Sequence, residues 1–196
     1  MNELGAESAD LNAASVLVHA RRMAPHDAIV TTEAGVYGRV GLYAWQVYEP
    51  GTYFDSSGAN TMGYSIPAAV AASLVRPAQK TVCLVGDGGF LMRAGELETV
   101  ARLKLAPVIV IFDDGTLGMI RLKQRSKEYT RAGVDLEQTD FVRLTESFGG
   151  VGWKVETLEQ FDHAFATALG SDRLHVIDVR VDADVYASHI KPIRGI

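Results

Sequence analysis

Two acidic turns, each closing an apolar run, carry the residue types in this 196-residue chain best suited to chemistry. GDGG (86–89) follows TVCLV, and DDG (113–115) follows VIVIF. A third loop, TTEAGVYG (31–38), follows AIV and shares their small residues. Glycine lets backbone N–H groups approach an anion closely, and successive amides in a turn make an anion-binding hollow. Carboxylates beside such amides repel a phosphate unless a cation lies between. Mg²⁺ takes carboxylate, carbonyl and phosphate oxygens, so the combination points to a metal-bridged diphosphate. Asp-Gly is also a favoured turn dipeptide, so neither turn decides the matter alone. The pattern is not G-x-G-x-x-G, which argues against a nicotinamide dinucleotide site. An Asp pair ending a strand also suits a phospho-acceptor of the receiver type, but such a domain has no need of GDGG on the preceding strand.

These loops need a scaffold that brings strand ends together. Residues 1–10 are polar, acidic and aperiodic, and are expected to form a tail or linker ahead of a single domain over 11–196. Apolar residues recur at helical spacing from Leu11 to Met23, with Asp10 as the expected N-cap and Pro25 as the stop. A short buried strand running into a glycine turn is expected at 28–35, a strand-to-turn unit at 80–89 and a strand at 107–114, with helices at 66–75 and 96–104. Pro67 suits a first helical turn. A polar stretch, QRSKEYTRAGVDLEQTD (124–140), reads as a mobile loop over a site or interface. A helix in TDFVRLTESFG, a strand in GVGWKV, a helix in LEQFDHAFATALG and a strand in LHVIDVRV continue the alternation. The result is an α/β fold: three layers, doubly wound, with a mostly parallel sheet of about six strands and helices on both faces. Ligands of such sheets bind outside the carboxyl ends of the strands.

On these residues the chain resembles the diphosphate-binding domain of thiamine-diphosphate-dependent enzymes. GDGGFLMRAGELETVARLKLAPVIVIFDDGTLGMIRLKQ is similar to that family's cofactor motif, with Asp87 and Asp114 standing 27 positions apart. GANTMGYSIPAAVAA is similar to the stretch of acetolactate synthase and benzoylformate decarboxylase that props the cofactor in its bent shape. The resemblance implies Mg²⁺ ligation by the Asp87 and Asp114 side chains and the Thr116 carbonyl. It implies that Gly86, Gly88 and Gly89, with Gly35, Val36 and Tyr37, surround the diphosphate. Leu117, Gly118 and Met119 are implied to close over the phosphates at a helix N-terminus. Met62 is the implied wedge beneath the cofactor, and the Asn60 carbonyl is implied to face its aminopyrimidine. The family usually has Asn-Asn or Asp-Asn where this chain has Asp113-Asp114, which adds negative charge beside the phosphates. The activating glutamate of the family lies on a separate pyrimidine-binding domain that nothing here matches, and Glu33 is not given that role. The chain alone is therefore expected to be inactive.

The implied chemistry is decarboxylation of a 2-oxo acid, ending in protonation or carboligation, with the cofactor as electron sink. Two arrangements are open: an acetolactate-synthase-like or benzoylformate-decarboxylase-like enzyme, which the IRLKQ and AGVDLEQTDFVRLTESFG segments favour, or one subunit of a split enzyme such as sulfopyruvate decarboxylase. A non-catalytic cofactor-binding module and a flavodoxin-like phosphate binder are the rivals. The expected partners are a pyrimidine-binding domain or subunit, in a homo- or hetero-oligomer, and a small 2-oxo acid. Arg121, Lys123 and Gln124 are the residues placed to meet that substrate. A net charge of −5 with no basic block argues against nucleic acid. No apolar run reaches membrane-spanning length and no signal peptide opens the chain, so a cytoplasmic location is expected. Cys83, the one cysteine, lies in an apolar run and is expected to be a buried, inert thiol.

Overall fold

The computed structural model describes residues 10–56 and 58–194; the expected tail falls outside these, Asp10 excepted. The first helix, α1 (Ala13–Met23), is capped by Asn12 rather than Asp10. Asn12 Oδ1 accepts from the Ala14 and Ser15 amides at 2.9 and 3.0 Å, and Ser15 Oγ accepts from the Asn12 amide at 3.0 Å. This reciprocal box satisfies three amides at once, which Asp10 two residues earlier cannot do. Ala24, preceding Pro25, is extended at ψ 143° and ends the helix.

Six strands follow: β1 (Ile29–Thr31), β2 (Tyr53–Phe54), β3 (Thr81–Gly86), β4 (Val108–Asp113), β5 (Val151–Val155) and β6 (His175–Arg180). They form one sheet in the order β2-β1-β3-β4-β6-β5, and every pairing is parallel. The expected mostly parallel sheet is thus parallel throughout. β3 and β4 are buried along nearly their whole length, which explains their unbroken apolar runs.

Alternate side chains feed two cores. Val82, Leu84, Val110 and Phe112 join α1, α2 (Val36–Ala44) and α8 (Leu158–Leu169) on one face. Cys83, Val85, Ile109 and Ile111 join α3 (Ser65–Val75), α4 (Asp87–Arg93), α5 (Glu96–Arg102) and α7 (Phe141–Ser147) on the other. Cys83 is fully buried, and burial pushes its thiol pKa upward. α6 (Gly118–Ser126) and the C-terminal α9 (Tyr186–Arg194) complete the layers.

Three elements escape the sequence pattern. α2 reads VYGRVGLYA, whose two glycines disguise a helix held mainly by packing. β2 has two residues, and α9 follows a 3-10 turn near the end of the chain. The stretch expected as a mobile loop is instead partly helical, in α6, and its remainder is tied down. Leu117 N donates to the Val134 carbonyl at 2.7 Å, and Leu136 N to the Gly115 carbonyl at 2.9 Å. Val134 is buried, so apolar burial adds to those two bonds. Among the described residues no helix is long and apolar enough to cross a membrane.

Candidate functional site

The chain leaves β1 toward β2 on one side and returns to β3 on the other, so strand order reverses between β1 and β3. Loops leaving the carboxyl ends of two such strands diverge and open a crevice, the usual ligand position of doubly wound sheets. The loop after β1 supplies Gly35, Val36 and Tyr37 to this crevice, and the loop after β3 supplies Gly86, Asp87, Gly88 and Gly89. The loop after β4 adds Asp114, Thr116, Leu117, Gly118 and Met119, and Met62 enters from the segment before α3. All but one of the residues that the resemblance assigned to the cofactor or its metal therefore line one cleft.

The exception is Asn60. It stands in a neighbouring hollow with Glu33, Arg39 and Ser56, its backbone left-handed at φ 51°. Its side-chain oxygen accepts from Arg39 at 3.0 Å. The substrate candidates are also engaged elsewhere: Arg121 pairs with Asp184 at 2.8 Å, and Gln124 donates to the Ala132 carbonyl at 3.0 Å. Lys123 is exposed on α6.

Close approach explains the glycines of the cleft. A Cβ on Gly86 would come within 3.1 Å of the Tyr37 ring, and one on Gly88 within 3.0 Å of Leu117. A Cβ on Gly89 would sit 1.9 Å from Glu33 Oε1. Glu33 is buried beneath this turn. Its Oε2 accepts from the Ser65 amide at 2.9 Å, at the start of α3, while Oε1 has no hydrogen-bond partner. The carboxylate thus fixes the spacing between β1, α3 and the GDGG turn.

The acids of the cleft are held by backbone amides. Asp87 accepts from Gly88 N at 2.7 Å and from Gly115 N at 2.8 Å, linking the β3 and β4 loops. Asp114 Oδ1 accepts from the Thr116 amide at 2.8 Å and its hydroxyl at 2.6 Å. Burial, then repulsion from Asp114, pushes the Asp87 pKa up to about 7. Burial also raises Asp114, against the pull of its hydrogen bonds from Thr116 and the Tyr186 phenol. Asp114 repels Asp87, and desolvation works against the charge of both, so the site lacks positive charge and a bound dication would relieve both.

Among the described residues no group of three or more His, Cys, Asp or Glu side chains makes a ready cage for a metal. The donors that fit a cation are two carboxylates and a carbonyl, a partial set that Mg²⁺ accepts when waters and phosphate oxygens complete its octahedron. The sheltered part of the cleft is about 60 Å³. That is far below the ~300–1,000 Å³ typical of a pocket enclosing a whole small ligand. The cleft of this chain is thus too small to enclose a whole small ligand.

Tyr186, on α9, was not foreseen from the sequence. It is 2% exposed, lines the cleft, and packs against Gly118, where a Cβ would lie 2.8 Å from its ring. Nothing local marks it: a lone tyrosine some 70 positions beyond Asp114 reaches the site only through the fold.

A wholly parallel, doubly wound domain with acids and glycine turns at its switch point defines the class. Within that class, residues 33–179 match the family described as thiamine pyrophosphate enzyme, C-terminal TPP binding domain, and the chain belongs to it. It is 37% identical over 153 residues to acetolactate synthase of Bacillus subtilis (strain 168), covering 78% of this chain and 27% of that protein. It is 35% identical over 161 residues to the acetolactate synthase isozyme 2 large subunit of Escherichia coli (strain K12), covering 81% and 29%. Among solved structures it is similar to the Rhodococcus jostii RHA1 thiamine diphosphate-dependent 4-hydroxybenzoylformate decarboxylase, with a TM-score of 0.82 and 31% identity over 89% of this chain and 33% of that one. The chain thus spans roughly a quarter to a third of the length of these relatives.

Proposed function

We propose that this chain holds the diphosphate of thiamine diphosphate through Mg²⁺, as the diphosphate-side domain of a cytoplasmic, oligomeric 2-oxo acid decarboxylase or carboligase of the acetolactate synthase kind. The observation that carries this reading is the convergence of Asp87 and Asp114, both driven upward in pKa, on a glycine-walled cleft at the switch point. The relatives' names add the cofactor and the reaction class. When bound, the cofactor supplies the electron sink for loss of CO₂.

Each residue then has a task. Asp87, Asp114 and the Thr116 carbonyl would hold the cation, which would offset the charge of the diphosphate. Amides of Gly35 to Tyr37 and of Gly88 and Gly89 would receive the diphosphate, since glycine leaves the backbone N–H groups open to an anion. The N-terminus of α6 adds Gly118 and Met119, with the positive end of the helix dipole facing the anion. Met62 and Leu117 exclude water above the GDGG turn, their side chains lying within 3.3 and 3.0 Å of a Cβ built on Gly88. The pyrimidine half of the cofactor is left to a second domain or subunit, in keeping with a cleft too small to enclose the whole cofactor.

Calorimetric titration with thiamine diphosphate, with and without Mg²⁺, tests this reading. Metal-dependent binding that is lost in Asp87→Ala is expected. Binding that ignores both the metal and the substitution overturns it. Adding a pyrimidine-domain partner is expected to restore decarboxylation of a 2-oxo acid; a complex that binds the cofactor but decarboxylates none removes the catalytic half.

A further inference from the structure

The cleft has a third carboxylate beside it, close enough to Asp87 and Asp114 to push both of their pKa values upward. Asp113 ends β4 and pairs in register with Arg180, which ends β6. Asp113 Oδ2 accepts from the Arg180 guanidinium. Asp113 Oδ1 accepts from Gly115 N at 3.1 Å, the same amide that donates to Asp87 Oδ2 at 2.8 Å. Asp113 is therefore one shared N–H away from a carboxylate that faces the cleft, and it is 5% exposed. A little deeper on β6, Asp178 is equally buried, and its Oδ1 has no hydrogen-bond partner. Among these acids Arg180 is the cation held in direct contact with Asp113, and its own side chain is 41% exposed.

Resting on the function proposed above, we propose that Arg180 is a positioning residue of the metal and diphosphate site. It holds the Asp113 carboxylate at the end of β6 and offsets part of its charge. Without it, Asp113 has two ways to act, and both have a sign. Freed from the guanidinium, its carboxylate can swing toward the cation as a third anionic ligand. Even without moving, it adds an uncompensated negative charge one shared amide away from Asp87, beside the wall that would receive the diphosphate. Both effects strengthen binding of a bare dication and weaken binding of the anionic cofactor. A residue that served only the stability of β6 would shift both affinities in one direction, downward. Opposite shifts are the signature of charge at the site.

The test uses the full chain as wild type, Arg180→Gln, Arg180→Lys, Asp113→Asn and the double variant Asp113→Asn/Arg180→Gln. Mn²⁺ alone is titrated by the loss of its free-ion electron paramagnetic resonance signal. Thiamine diphosphate is titrated calorimetrically at saturating Mg²⁺. Arg180→Gln is expected to bind Mn²⁺ about tenfold more tightly and the cofactor about tenfold more weakly, the scale of one unit charge acting several ångströms away in a partly screened site. Arg180→Lys keeps the charge and is expected to behave as wild type. The double variant removes both charges and is expected to return to within about threefold of wild type. Unchanged affinities in Arg180→Gln, parallel losses of both ligands, or a double variant no better than Arg180→Gln each overturn the assignment while leaving the proposed function standing. A wild-type chain that binds neither Mn²⁺ nor the cofactor overturns the proposed site, and this role with it.

Discussion

The two ends of the sheet both carry clefts, and the larger one lies at the wrong end for this chemistry. At the amino end, Pro25, Asp27, Lys80, Lys104 and Ser171 are among the residues around a cleft of about 460 Å³. At the carboxyl end, the sheltered cleft is about 60 Å³. α1, α3, α5 and α8 all finish close to the amino-end cleft, so carbonyls and negative dipole ends face it. Lys80 answers that polarity, donating to the Ser171 carbonyl at 2.7 Å. At the carboxyl end the helices begin, amides point outward, and acids are gathered instead. A site for an anion bridged by a cation thus follows from the direction of the chain, and volume is a poor guide to it.

The sharpest way to break this contrast is to remove an acid from the carboxyl end. Asp87→Ala or Asp114→Ala is expected to weaken metal-dependent binding of thiamine diphosphate by at least about 100-fold, beyond the 10- to 100-fold usual for residues that merely support a metal ligand. Retained binding in either variant, measured by calorimetry, would place the cation elsewhere. Next comes the floor of the cleft. Gly89→Ala forces a methyl against Glu33 Oε1, and is expected to cost about 1–3 kcal/mol in thermal or denaturant unfolding. A variant as stable as wild type would show that Glu33 moves freely, and would remove its role in fixing the turn.

A smaller effect comes from pH. The Asp87 carboxyl titrates at about 7 in the folded chain, against 3.8 for the ordinary group. Between those values the folded chain keeps a proton that the unfolded chain has lost. The stability of the metal-free chain therefore falls as pH rises from about 4 to about 7. Asp178, pushed to about 7 chiefly by burial, adds in the same direction. Mg²⁺ competes with the Asp87 proton, so melting curves are expected to show a larger Mg²⁺ stabilisation at pH 8 than at pH 6. Asp87→Asn is expected to shrink that difference; if it survives at full size, the metal does not sit on Asp87. The smallest effect sharpens the contrast from the other side: Lys80→Ala or Lys104→Ala is expected to leave cofactor affinity within about twofold of wild type. A tenfold change would mean the two ends of the sheet are coupled.

The sequence by itself determined the alternation of strands and helices, because runs such as VCLV and VIVIF can be buried only between two layers of helix. It also determined the chemistry of the cleft, because GDGG and DDG announce their glycines and acids locally. It was weaker wherever a short element is held by packing alone, as with α2 and its two glycines, β2 with two residues, and α9. Only the tertiary structure decided that β1 and β3 are neighbours and so bring their loops together, that Asn60 lies outside the cleft, and that Tyr186 lies inside it. It decided too that Asp113 meets Arg180 while Asp114 faces the cleft. Asp114 lies just past the end of β4, and the neighbouring strand that supplies Asp113 with a partner is fixed by sheet order and register, which no local spacing records.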